Sequence, residues 1–311
     1  MYSLENVHVV LLEPQRNVRR VLKYELQEVG FRDVYDCGSV DNARSLINAE
    51  KPELLLLDLD GDQDGACTLI RDIRYRRVGH DPFLVIIAVS WRPEREMVHD
   101  VMKSGVDDMI TKPVSVDMLS RRIDNMIEKR KKFVATETYF GPDRRQRERL
   151  HNDDELPLVQ VPNSLRHLAT GDETAAIGEA AEQAALAAIA LQRVQREAME
   201  IMRVAEQMEA LVQSSEQDAS IVETIDRMVR LAHNVADYFC KRQSSGLVEV
   251  ARSLAGVIDA MAGAAAPTSE QIGFLRLHSE AVCAVLMEQD NAAEIVARTL
   301  DHTVVKTARL A

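Results

Sequence analysis

Over the first 128 residues, short apolar runs alternate with segments whose apolar positions recur every three to four residues. A run of β-prone residues at 7–12 predicts a strand ending at Glu13. Helical spacing follows over 18–29, closed by Gly30. A short strand at 34–37 leads to a helix at 40–50, with Ser39 or Asp41 as its cap. The continuous apolar run 54–57 predicts a strand covered on both faces that runs into Asp58. An acidic, glycine-flanked loop at 61–65 precedes a helix at 67–76. Another strand, 83–89, meets Ser90; a helix at 94–104 stops at Gly105; a strand at 108–110 meets Lys112-Pro113; and a last helix occupies 116–129. Five such units predict an α/β, (βα)5 doubly wound domain over residues 1–130, with helices on both faces of a parallel sheet.

The pattern then changes. A basic stretch at 129–149 (Lys129 to Lys132, then Arg144, Arg145, Arg147 and Arg149) runs into scattered prolines, and residues 131–173 predict a charged, extended linker. Leu156, Leu158, Val159, Val161, Leu165 and Leu168 could pack part of it along a domain. Residues 174–311 predict an all-helical region. Its first helix, 174–214, keeps two rows at heptad spacing. One row runs Ile177, Ala184, Leu191, Ala198, Ala205, Val212 and the other Ala180, Ala187, Val194, Ile201, Met208. Such a helix would be about 60 Å long, and its coiled-coil-like seam predicts a homodimer, unless its own domain covers the seam. Shorter helices follow at 221–241, 248–262, 268–287 and 291–310, the one at 268–287 opened by a capping box of Thr268 and Gln271.

Composition sharpens this picture. Aromatic residues make up only 4% of the chain and alanine crowds its second half, which favours close helix packing over a β-sandwich. Four cysteines lie far apart with no C-x-x-C pair, which argues against a zinc site or disulfide framework and for a reducing compartment. No apolar stretch reaches the ~18 residues a membrane helix needs, so the expectation is a cytoplasmic protein without membrane insertion. The net charge of -12 argues against nucleic acid as a partner, although it conceals the basic stretch. No helix-turn-helix, zinc finger or stacked-aromatic pattern supports a nucleic-acid reader.

The chemistry gathers at strand ends. In a doubly wound sheet, ligands bind beyond the carboxyl ends of the strands. Glu13, Asp58, Ser90 and Lys112 each follow such an end. A carboxylate nucleophile, an acidic cation ligand, a hydroxyl and a lysine make a phosphoryl-accepting set. The segment from Pro52 to Asp58 resembles the phosphorylated strand of response regulator receiver domains, and that from Gly105 to Pro113 resembles their fifth strand. The resemblance covers roughly residues 5–128. It implies Asp58 as phosphoryl acceptor, Ser90 as the switch hydroxyl, Lys112 as the conserved lysine with a cis bond to Pro113, and an upstream histidine kinase or phosphotransferase. It also implies Mg²⁺ held by Glu13 and Asp58, with Asp60 as the further oxygen ligand that this sequence itself offers.

The sequence departs from that family at three points. Pro14 stands where a second acidic residue is usual, Met109 replaces the aromatic reporter of strand five, and the loop after Asp58 carries Asp60, Asp62 and Asp64. These aspartates either replace the missing Mg²⁺ ligand or form an acidic surface loop. Two functions follow. One is an atypical response regulator that signals by protein–protein contact of a dimeric helical domain with an unnamed target. The other is a phosphorylation-independent pseudo-receiver scaffold. No conventional enzyme signature is present. The helical histidines His233, His278 and His302 lack the neighbours of a phosphotransfer histidine and are expected to be ordinary helix residues.

Overall fold

The computed structural model describes residues 2–136, 138–144, 158–214, 219–242, 245–262, 268–289 and 291–300. It divides into two compact units, 1–189 and 190–311.

The first unit is built on a five-stranded parallel sheet. Its strands β1 (His8–Leu12), β2 (Asp33–Cys37), β3 (Leu54–Asp58), β4 (Val85–Ser90) and β5 (Asp108–Thr111) lie in the order β2-β1-β3-β4-β5. The period-two alternation of the strands sorts their side chains into two cores. Val9, Leu11, Leu54, Leu56, Val85, Ile87 and Val89 face α1 (Arg16–Val29) and α5 (Val116–Glu128). Val10, Leu12, Leu55, Leu57, Ile86 and Ala88 face α2 (Val40–Glu50), α3 (Gln63–Arg74) and α4 (Arg95–Ser104). This is the (βα)5 architecture read from the sequence.

Local capping explains the boundaries. Ser39 caps α2 by accepting from the Asn42 N–H, and Ser115 caps α5 through Met118 N–H. Gly30 and Gly105 close α1 and α4 at φ 119° and 99°, a region that disfavours a Cβ. The main departure from expectation is α3, which starts at Gln63 rather than in the region of Cys67. The Asp62 carboxylate accepts from Gly65 N–H, so what reads as the end of an acidic loop is a helix's first turn. A local capping bond outweighs the poor helix propensity of Asp64 and Gly65.

Beyond α5 the chain folds back onto the same unit. A hairpin of β6 (Phe133–Ala135) and β7 (Phe140–Pro142) is followed by a bridge from Phe133 to Val159, then by α6 (Ser164–Thr170) and a 3-10 turn at Glu173–Ala175. Phe83, Phe133 and Phe140 meet edge to face with ring centroids 5.8–6.3 Å apart. Ala185 and Ile189, near the start of the long helix α7 (Glu179–Ser214), join this cluster. Burying each phenylalanine is worth about 2–3 kcal/mol, enough to hold a short hairpin that could not stand alone. Within the stretch expected as a linker, the described residues 131–136, 138–144 and 158–173 therefore contribute core to this unit.

The second unit is helical. The later part of α7, together with α8 (Ala219–Arg242), α9 (Ser245–Ala262), α10 (Ser269–Leu286) and a helical segment at 292–300, encloses a core that includes Val194, Ile201, Met228, Val235, Leu254, Ile258 and Leu275. The expected capping box is present at Thr268 and Gln271. The heptad rows of α7 have two fates. Val194, Ala198, Ile201 and Ala205 are buried in this unit's own core, whereas Ala180, Ala184 and Ala187 are exposed on the first unit. Met208 and Val212 lie outside the described side chains.

No described helix is long and apolar enough to cross a membrane. All four cysteines are free, and burial pushes the Cys283 thiol up to about 12. His278 is buried and stacked on Phe274, with its Nδ1 2.8 Å from the Phe274 carbonyl oxygen. His233 is exposed and its Nδ1 lies 2.8 Å from the Val229 carbonyl oxygen. His302 lies outside the described residues.

Candidate functional site

The parallel sheet delivers four polar side chains to one edge because each follows the carboxyl end of a strand. Glu13 follows β1, Asp58 ends β3, Ser90 ends β4 and Lys112 follows β5. They converge. Lys112 Nζ donates to Glu13 Oε2 at 2.6 Å and to Asp58 Oδ1, and lies 3.4 Å from Asp60 Oδ2. The Glu13, Asp58 and Lys112 side chains are each no more than 2% exposed. The bond from Lys112 to Pro113 is cis, as the resemblance implies.

The remaining oxygens are also committed. Glu13 Oε1 accepts from the Gln15 N–H at 2.9 Å, and Asp58 Oδ2 from the Gly61 N–H at 2.9 Å. Gly61 is required here: a Cβ at this position would stand 2.5 Å from Pro14 Cγ. The turn at Gly61 carries Asp60 across to the end of β4. There its Oδ1 accepts from the Ser90 hydroxyl at 2.6 Å, and its Oδ2 from the Trp91 N–H at 3.0 Å. The Trp91 ring lies over the ammonium, with 5.7 Å from Lys112 Nζ to the ring centroid.

Burial and charge pull in opposite directions at this site. Burial lifts the Asp58 carboxyl above its ordinary value, and the Lys112 hydrogen bond does not fully offset that. Burial acts likewise on Asp60, but the bonds from Ser90 and Trp91 outweigh it and hold that carboxyl below its ordinary value. Burial lowers Lys112, yet its bonds to Asp58 and Glu13 dominate and its pKa is raised. The lysine is therefore an ammonium at neutral pH, shared among three carboxylates.

The structure thus brings Glu13, Asp58, Asp60, Ser90 and Lys112 together, but the carboxylates surround an ammonium. No set of His, Cys, Asp or Glu side chains among the described residues is grouped to hold a metal ion, and Pro14 offers no side-chain ligand. Their oxygens are chemically suited to a hard cation. Their arrangement does not fit one while Lys112 stands at its centre. Asp62 and Asp64 are turned to capping and to the first turn of α3.

At the opposite end of the sheet is a second buried network that local sequence patterns did not expose. Arg74 is fully buried and donates to the carbonyl oxygens of Gly105, Pro82 and Leu84 and to Asp107 Oδ2. Arg130 donates to both oxygens of Asp107. Both guanidiniums lie over the Phe133 ring.

Residues 9–124 match the family model of the response regulator receiver domain. This segment is a receiver domain. Curated relatives match stretches of 95 to 168 residues. The transcriptional regulatory protein KdpE of Staphylococcus aureus is 37% identical over 95 residues, 29% of this chain and 38% of that protein. The transcriptional regulatory protein YvrH of Bacillus subtilis is 29% identical over 123 residues, covering 39% and 48%. The virulence transcriptional regulatory protein PhoP of Shigella flexneri is 27% identical over 168 residues, covering 54% and 66%. The chain thus spans between 38% and 66% of the length of these relatives. Among solved structures, the receiver domain of the sensor histidine kinase PA1611 from Pseudomonas aeruginosa, described with a magnesium ion in its active-site cleft, is 19% identical with a TM-score of 0.34, covering 37% of this chain and 93% of that one. The Francisella response regulator 1452 receiver domain is 24% identical with a TM-score of 0.34, covering 38% and 94%.

Proposed function

We propose that this chain is an atypical two-component response regulator whose receiver domain accepts a phosphoryl group on Asp58 and signals through protein contacts of its helical region. The observation that carries this reading is the buried Asp58 Oδ1 bonded to the Lys112 ammonium, with the Ser90 hydroxyl at the end of the adjoining strand. Asp58 would supply the attacking oxygen, and Lys112 would neutralise the phosphoryl oxygens. Ser90 would report the change. The phosphoryl source would be a phosphohistidine on an upstream kinase or phosphotransferase. Magnesium binding by Glu13, Asp58 and Asp60 has only the hardness of their oxygens in its favour.

Incubation of the full chain with acetyl phosphate should add one phosphoryl mass to wild type and none to Asp58→Ala, as read by intact-mass spectrometry. Absence of the adduct from both would favour the second reading, a phosphorylation-independent scaffold. That reading draws on Pro14 and on Asp60, which occupies the switch hydroxyl.

Homodimerisation through the 174–214 helix is also proposed. Its support is the exposed seam positions Ala180, Ala184 and Ala187 on α7, since later seam positions are covered by their own bundle. Sedimentation equilibrium of the full chain should give twice the 34.9 kDa chain mass. A monomer at high micromolar concentration would refute dimerisation.

A further inference from the structure

A phosphoryl group on Asp58 would bring negative oxygens to the edge of the sheet between β3 and β4. The donors awaiting them are the Lys112 ammonium, the Ser90 hydroxyl and the first N–H beyond β4. One carboxylate already engages all three. Asp60 Oδ1 accepts from Ser90 Oγ at 2.6 Å, both its oxygens accept from Trp91 N–H at 3.0 and 3.2 Å, and Oδ2 lies 3.4 Å from Lys112 Nζ. Asp60 reaches this place because the Gly61 N–H binds back to Asp58 and turns the loop. A carboxylate is a fair substitute for part of a phosphoryl group: it is anionic and presents two oxygens that take charge-assisted hydrogen bonds.

We propose that Asp60 is a positioning residue that acts as a resident anion: it fills the phosphoryl position beside Asp58 and holds Ser90, Trp91 and Lys112 in an anion-bound arrangement in the unmodified chain. Two consequences follow. The face formed by the ends of β4 and β5 is engaged without modification. Phosphoryl transfer also has to displace Asp60 and work against its charge. The second consequence rests on the reading of Asp58 as acceptor; the first does not. With acetyl phosphate as donor, a lone pair of an Asp58 carboxylate oxygen forms the new O–P bond. The P–O bond to the acetyl group breaks, acetate leaves with that electron pair, and no proton is required. The phosphoryl oxygens then take the donors that Asp60 releases.

Trp91 is the only tryptophan in the chain and lies in the proposed site, so its fluorescence reads site occupancy directly. The Asp60→Ala full chain should differ from wild type in Trp91 emission. Inorganic phosphate at millimolar concentration should return it saturably toward the wild-type value and leave wild type unaffected. Acetyl phosphate should label Asp60→Ala about tenfold faster than wild type, the ratio expected when one charge-assisted hydrogen bond no longer competes. Asp60→Asn keeps the side-chain volume and should show the same increase if the alanine variant fails to fold. A lack of phosphate response in Asp60→Ala, or the same response in wild type, would overturn the resident-anion role. So would equal labelling rates in the presence of an Asp58 adduct. Rescue by phosphate with no labelling of any variant would instead overturn Asp58 as acceptor and leave Asp60 in its role.

Discussion

Replacing Arg74 with methionine is expected to destabilise the receiver unit by about 4 kcal/mol, a fall in Tm on the order of 10 °C. The guanidinium is fully buried and serves four acceptors. Leu84 keeps a bond from Arg130, and Asp107 keeps Arg130 and the Ile86 N–H, so these two losses are partial. The carbonyl oxygens of Gly105 and Pro82 lose the Arg74 donor, at about 1–3 kcal/mol each if left unsatisfied. The effect should depend on pH in a definite direction. Burial pushes Asp107 up, but Arg130 and Arg74 outweigh it and hold its carboxyl below the ordinary 3.8. A depressed carboxyl contributes stability above its unfolded value and loses that contribution as pH falls through the folded one. The deficit of Arg74→Met should thus be largest above pH 3.8 and narrow in stronger acid. Thermal melts across pH check both points; a deficit that does not change with pH would remove Asp107 from the explanation.

Lys112→Met should cost about 3 kcal/mol at neutral pH, near the lower end for breaking a buried ion pair. The lower end applies because Glu13 and Asp58 each keep one backbone donor, from Gln15 and Gly61. In wild type, Lys112 has a raised pKa, so its contribution is complete below its ordinary 10.5 and is lost only as pH rises through the folded value. No neutral-range titration of stability should come from this lysine. The variant should behave otherwise. Asp58 is already raised by burial, and without the ammonium it rises further. A raised carboxyl favours the folded chain at low pH and loses that effect as pH rises, so Lys112→Met should recover stability on acidification from pH 7. Chemical denaturation at two pH values tests this. An equal deficit at both would show that the carboxylates find other partners.

Much of the receiver was legible along the chain because its periodicities report burial. Short apolar runs such as 54–57, bounded by polar and turn residues, fit strands covered on both faces, and glycines at helix ends mark where the backbone turns. Strand ends therefore predicted Glu13, Asp58, Ser90 and Lys112 at one edge of the sheet. The capping box at Thr268 was legible for the same reason, since a cap is a contact between near neighbours. Arg74 left no such trace: in sequence it is one arginine of a helix surface, and its acceptors lie 8–33 residues away.

What the sequence by itself determined is the alternation of elements, the edge at which the polar residues meet, and the helical nature of the second region. The local physics of side-chain period and capping suffices for each. Only the tertiary structure decided what those polar residues do to one another. A carboxylate two residues beyond β3 can face solvent, a cation or a hydroxyl. The turn at Gly61 gave Asp60 the Ser90 hydroxyl, with the Lys112 ammonium beside it. The residues after α5 likewise read as linker because charge and prolines interrupt them and their apolar positions keep no period. They fold back because Phe83, buried in the receiver, offers the aromatic surface that Phe133 and Phe140 need. Long-range complementarity of this kind has no period, and so it appears only when the chain is folded.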